Sequence, residues 1–157
     1  MTTYAPIAVP HDTDPSWNRA RAIIAALRSE GKANPFIVAA VANALAESGW
    51  RAVIAGDHGQ SFGPWQMKDA YYGGAIRSAL GIDIRTEPDL AKHVKAVLFA
   101  LSMPANAQTL AALDAAETGA EATRIWAADF ERASAGGAVD RRTAIAGQIE
   151  VWIAKQA

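Results

Sequence analysis

The 157-residue sequence contains no cysteine, which excludes disulfides and thiol chemistry while leaving the compartment open. It has no surplus of charge of either sign: 15 Lys and Arg against 16 Asp and Glu give a formal net charge of −1. A nucleic-acid partner would normally demand a basic surplus, so none is expected. The longest apolar run, Phe36 to Ala46, falls well short of the roughly 20 residues needed to span a bilayer, so no stable membrane insertion is expected. Met1 to Pro15 are polar and proline-containing, with no basic region leading into an apolar one. They are read as an N-terminal arm and not as a secretory signal peptide. His11, His58 and His93 are far apart and lack ligand spacing such as His-Glu-x-x-His, so no metal or other cofactor is expected. A P-loop, a dinucleotide fingerprint and a Gly-x-Ser-x-Gly elbow are missing as well.

What remains is ordinary globular composition, 51% hydrophobic and 20% charged, rich in alanine and long enough for one domain with a true core. Residues 16–157 are read as that single domain, since no repeat, linker or low-complexity stretch divides them. Asp14-Pro15-Ser16 signals a helix start, followed at helical spacing by Trp17, Ala20, Ile24 and Leu27 up to Gly31. Asn34-Pro35 signals a second, with Asn34 as the cap, and Phe36 to about Glu47 is apolar on every face, the mark of a buried central helix. Ser48-Gly49 would end it. Glycines and Pro64 then break the rhythm, predicting a short β-tongue or hairpin at about 53–68. Helical patterning returns after Thr86-Glu87-Pro88, expected to cap a helix carrying Leu90, Val94, Val97 and Leu101 and ending near Pro104. Further helices are expected over Asn106 to about Thr118, around Ile125, Trp126 and Phe130, and, beyond Gly136-Gly137, with Ile145, Ile149 and Ile153. The fold class is mostly α, an α+β domain whose only β element is the tongue.

Glu47 stands out because it ends the apolar helix. Burial and the partial negative charge of a helix C-terminus both disfavour the ionised carboxylate, so a proton retained near neutral pH is expected there. Cleavage of a glycosidic bond requires such a general acid. The ordinary alternative is a surface glutamate paired with Arg51, four residues on. The stretch Gly56-Asp57-His58-Gly59-Gln60-Ser61-Phe62-Gly63-Pro64-Trp65-Gln66 combines glycines that let backbone approach a ligand, aromatic faces that stack on sugars, and Ser61 and Gln66 that can hydrogen-bond hydroxyl and N-acetyl groups. Turn chemistry alone also accounts for its Gly-Asp-x-Gly start.

Glu47-Ser48 followed by Gly56-Asp57-x-Gly59-x-x-Phe62-Gly63-x-x-Gln66 resembles the active-site signature of the lysozyme-like superfamily. It is similar to goose-type lysozymes and soluble lytic transglycosylases, and most closely to phage tail lysozymes and endolysins. The likeness covers residues 37 to 69, about a fifth of the chain. It implies a peptidoglycan glycosidase cutting the bond between N-acetylmuramic acid and N-acetylglucosamine, with Glu47 matching the acid and Asp57 an aspartate that helps hold the attacking water. The second water-positioning aspartate falls on Lys68, and Asp69 is one position along. An inverting pair would stand ~6.5–9.5 Å apart. The alternative is a lytic transglycosylase, in which Glu47 serves as acid and then base on the muramic 6-hydroxyl and leaves a 1,6-anhydro product. A second alternative is an inactive wall-binding or structural module of a phage particle. Ser48, Ser61, Phe62, Gln66 and Tyr71 are the expected substrate contacts. Asp129-Phe130-Glu131-Arg132 is similar to a late Phe-Glu-Arg stretch of phage tail lysozymes, with Glu131 a further contact or a bridge back to the tongue. Arg141-Arg142 is read as a solvated helix face able to meet anionic muramic or peptide groups. A monomer acting on glycan strands is expected, reaching the cell wall through a holin or with a phage particle.

Overall fold

A computed structural model describes residues 6–133 and 137–156. Among them the chain forms α1 (Trp17–Ser29), α2 (Asn34–Ser48), a tongue of three two-residue strands, β1 (Ala55–Gly56), β2 (Ser61–Phe62) and β3 (Met67–Lys68), then α3 (Gly74–Leu80), α4 (Leu90–Ser102), α5 (Ala107–Ala115), α6 (Gly119–Ile125) and α7 (Ala138–Lys155). The strands pair antiparallel in sequence order, Ala55 opposite Phe62 and Phe62 opposite Met67, so the tongue is a small meander rather than a single hairpin.

Helix α2 runs through the middle, with every residue from Phe36 to Ala44 buried. It packs mainly on α6 and α7. Its alanines let neighbours come close, and the start of α6 comes closest: a Cβ on Gly119 would stand 2.7 Å from Val38 Cγ1. Tryptophans complete the core on both sides. Trp17 stacks on Trp152 with centroids 4.0 Å apart, and Trp65 and Phe36 flank Trp126. A buried indole N–H requires an acceptor. Trp50 and Trp65 donate to the Val41 and Ala40 carbonyls of α2, both at 2.9 Å, and Trp17 donates to His11 O at 3.0 Å. That last bond, together with partly buried Ile7 and Val9, lays the described part of the N-terminal arm against the core.

Two helix starts differ from expectation. Asn34 is the first helical residue and makes no capping bond, because the extended residue before α2 is Ala33. Asp89, not Thr86, caps α4, its carboxylate accepting from Ala91 N–H at 2.8 Å. A carboxylate within a turn of the first N–H groups out-competes a hydroxyl farther upstream. The short α3 has no periodic apolar pattern to announce it and buries only Ile76. Gly137 precedes α7 in the left-handed region at φ 77°, while Gly136 lies outside the described residues. No single described helix is long and apolar enough to cross a membrane.

Candidate active site

Asn43 and Glu47 sit four residues apart and therefore on one face of α2. Both are held by one guanidinium. Arg142 of α7 donates from Nη1 to Asn43 Oδ1 at 3.0 Å and from Nη2 to Glu47 Oε1 at 2.6 Å. The planar fork of arginine suits two acceptors one helical turn apart, which a lysine ammonium cannot match. The pair is substantially withdrawn from water, the Arg142 side chain being 11% and Glu47 22% exposed. Asn43 is itself fully buried and passes its amide N–H to Ala39 O at 2.9 Å, so the arginine rests on a rigid support. Arg142 is therefore not on the solvated face expected of it, and the partner of Glu47 is Arg142, not the Arg51 of the ordinary surface alternative.

Ser48 anchors the tongue to the helix, its hydroxyl donating to Pro64 O at 2.8 Å and to Ala44 O at 3.0 Å. Asp57, His58 and Gly59 all have positive φ and turn the chain at the tip, where Asp57 and His58 are exposed. Gln66, also at positive φ, donates its amide to Gly63 O at 2.9 Å, closing the base of the tongue. Gly63 (φ 81°) faces the ring of His93 on α4: a Cβ there would stand 2.9 Å from His93 Nδ1. His93 is fully buried, and its Nε2 donates to Glu87 O at 2.7 Å in the tautomer this geometry selects. Nδ1 has no partner. Burial pushes the imidazole below its ordinary value of 6.5, with the Glu87 carbonyl opposing in part. A histidine whose folded-state value is depressed contributes stability that is complete above its unfolded value and is lost as the pH falls. Thermal unfolding of the wild type is therefore expected to drop as pH is lowered below 6.5, and His93→Gln should flatten that part of the profile. An identical pH dependence in both proteins rules out His93 as its source.

A trench of about 310 Å³ opens beside the tongue. One wall is Trp65 to Lys68 of the tongue, continued by Tyr71 and Tyr72, and the other is Phe130, Glu131 and Arg132. Each wall includes part of a π-helical turn, Tyr71 and Tyr72 from Asp69–Gly73 and Phe130 from Trp126–Phe130, the wider coils that are frequent at functional sites. Tyr71 is 72% exposed, presenting an aromatic face, and Tyr72 packs on Phe130 with centroids 5.9 Å apart. Glu47 is not among the residues walling this trench; the carboxyl there is that of Glu131. Glu131 Oε1 accepts from the buried indole of Trp126 at 3.0 Å. Burial, then the charge of Glu47, hold the Glu131 carboxyl well above the ordinary glutamate range, against the opposing effects of Trp126 and Arg142. Glu47, Arg142 and Glu131 thus form one electrostatic unit drawn from α2, α7 and the end of the second π-helical turn.

The other acids near the tongue are already paired. Asp57 lies 3.5 Å from Lys68 Nζ across the tongue, both about half exposed, and Asp69 accepts from Arg77 at 2.8 Å. Among the described residues no cluster of His, Asp and Glu side chains is placed to hold a metal ion.

A family model described as phage tail lysozyme matches residues 18–152. The chain belongs to the phage tail lysozyme family. No curated protein and no solved structure matches it. The match takes in the whole of α1 to α6, apart from Trp17, and nearly all of α7, so every residue of the Glu47–Arg142–Glu131 unit lies within the phage tail lysozyme domain.

Within that domain the residues singled out from the sequence separate into two groups. Gln66, Tyr71 and Glu131 line the trench, while Asp57 stands at the tongue tip. Ser48 and Ser61 are buried, Phe62 packs against the core, and Asp69 pairs with Arg77 outside the trench wall. Missing from the sequence reading of the site were Asn43 and the role of Arg142. A polar Asn43 inside an otherwise apolar helix, one turn before Glu47, was the available signal for the first. Nothing local pointed to the second.

Proposed function

We propose that this protein cleaves the glycan strands of peptidoglycan between N-acetylmuramic acid and N-acetylglucosamine, with Glu47 as the general acid. The observation carrying this proposal is Glu47 at the end of a buried helix, three-quarters shielded, fixed by Arg142 and coupled electrostatically to the carboxyl in a sugar-sized aromatic trench. The Glu47 proton passes to the glycosidic oxygen as the bond to the anomeric carbon breaks and the sugar becomes oxocarbenium-like. In the hydrolytic form a water then attacks, with Asp57 able to orient it. Its exposed contact with Lys68 is worth little in energy and does not commit the carboxylate.

A lytic transglycosylase is the second reading. The pairing of Asp69 with Arg77 at 2.8 Å favours it, because that aspartate is engaged by a guanidinium and is not left to hold a water. Mass spectrometry of a peptidoglycan digest distinguishes the two. Hydrolysis is expected to release muramic reducing ends, whereas the alternative releases 1,6-anhydro ends one water lighter. A digest with no new glycan ends of either kind would remove the enzymatic proposal and leave a wall-binding module. In the same proposal the protein reaches the cell wall either with a phage particle or by release through a holin.

A further inference from the structure

We propose that Glu131 is the second carboxyl of the reaction centre, a positioning residue that shares with Glu47 the single proton used in bond cleavage. This rests on the assignment of Glu47 as the acid and adds to it the group that keeps the proton in place. Three observations carry it. Glu131 lines the trench, whereas Glu47 stands outside its wall. Its carboxyl is oriented by Trp126, a fully buried indole wedged against Phe36, Trp65 and Phe130, with the π-helical turn ending immediately before it and Arg132 at φ 51° immediately after. The charge of Glu47 acts on it directly, and one guanidinium, Arg142, acts on both.

Two carboxyls beside one arginine hold a net charge nearest zero when they carry one proton between them. Adding a second proton leaves the buried Arg142 uncompensated; removing the first leaves two anions against one cation. Loss of water around the partly buried side chain, and then the charge of Glu47, favour the neutral form of Glu131. During turnover the proton of the pair goes to the departing glycosidic oxygen, leaving the pair doubly anionic for the lifetime of the cationic sugar. The nucleophile, a water or the muramic 6-hydroxyl, loses a proton on bonding to the anomeric carbon, and that proton restores the pair. The charged and titratable groups around Glu131 are Glu47 on α2, Arg142 on α7, and Lys68, Tyr71, Tyr72 and Arg132 around the trench.

Glu131→Gln separates this role from a structural one, because glutamine copies the neutral acid in shape and still accepts from Trp126. If Glu131 only fills space, the variant keeps wild-type turnover. If it shares the proton, kcat is expected to fall about 100-fold, the lower end of the usual contribution of a proton-transfer group, while binding to insoluble peptidoglycan and thermal unfolding stay unchanged. The alkaline limb of the pH–rate profile should also move to lower pH. In the wild type losing the last proton adds a second negative charge to a site where the charge of Glu47 already opposes ionisation of Glu131; without Glu131 that repulsion is gone, so the active form is lost earlier. Trp126→Phe provides the opposite displacement: losing a donor that favours ionised Glu131 should move the alkaline limb upward. Wild-type rates and an unmoved alkaline limb in Glu131→Gln, with Glu47→Gln inactive, overturn this proposal alone. An active Glu47→Gln overturns the assignment beneath it. Should Glu131→Gln fail to fold, the Trp126→Phe profile decides, an unmoved limb counting against the pair.

Discussion

Glu47→Gln is expected to lower glycan cleavage by about 10²- to 10⁴-fold, the usual contribution of a positioned general acid. The substitution removes the group that hands the proton to the glycosidic oxygen and leaves its shape nearly intact. Glutamine keeps the length of the side chain and an oxygen for Arg142 Nη2, so the fork between Asn43 and residue 47 survives. Two opposing electrostatic changes accompany it. An ion pair becomes a charge-to-dipole hydrogen bond, which destabilises the fold, and the charge that opposes ionisation of Glu131 disappears, which stabilises it. Thermal unfolding should therefore move by no more than a few degrees. Turbidity clearing of cell-wall suspensions together with an assay of new glycan ends provides the measurement. Equal clearing by variant and wild type would remove Glu47 from the mechanism.

Arg142→Met has the largest expected effect on stability. Removing one partner of a shielded ion pair leaves an uncompensated charge, and such changes cost about 3–5 kcal/mol in buried sites. The 22% exposure of Glu47 places this pair towards the lower end of that range, about 3 kcal/mol, or on the order of 10 °C in unfolding temperature for a domain of this size. Asn43 Oδ1 loses its donor at the same time. Because the penalty comes from unpaired carboxylates, the gap between variant and wild type should narrow in acid, where protonation relieves it. Arg142→Lys should recover only part of the loss, since an ammonium cannot reproduce the two parallel contacts. Calorimetry of both variants across pH provides the check. A wild-type unfolding temperature for Arg142→Met would show that the guanidinium contributes nothing net and that Glu47 finds its solvation elsewhere.

The parts of the site that were legible in the sequence are those written in local pattern. The apolar run from Phe36, interrupted only by Asn43, could only be a buried helix, and Glu47 at its end followed from counting turns. Gly56, Gly59 and Gly63, with Phe62 and Trp65 among them, announced a tongue, and the structure places one there. Helix caps were less secure because several candidates crowd each start: Asp89 lies three residues from Thr86, and only the geometry of the turn selects between them. Contacts distant in sequence left no trace. Arg142 is 95 residues from Glu47, and in its own helix it is one of two adjacent arginines with nothing to distinguish it. His93 shares the buried face of α4 with Val94 and Val97, but its fit against Gly63, 30 residues earlier, depends on how α4 meets the tongue.

The order of helices, the irregular insert after α2 and the placing of an acid at its end follow from hydrophobic periodicity and backbone preference, and these act over a few residues at a time. Which cation faces that acid and which carboxyl lines the trench were decided only when α2 packed against α6 and α7. The reason is that charge and burial act through space. A carboxyl responds to whatever lies within a few ångströms of it, and the chain order of Glu47, Glu131 and Arg142 carries no record that they meet.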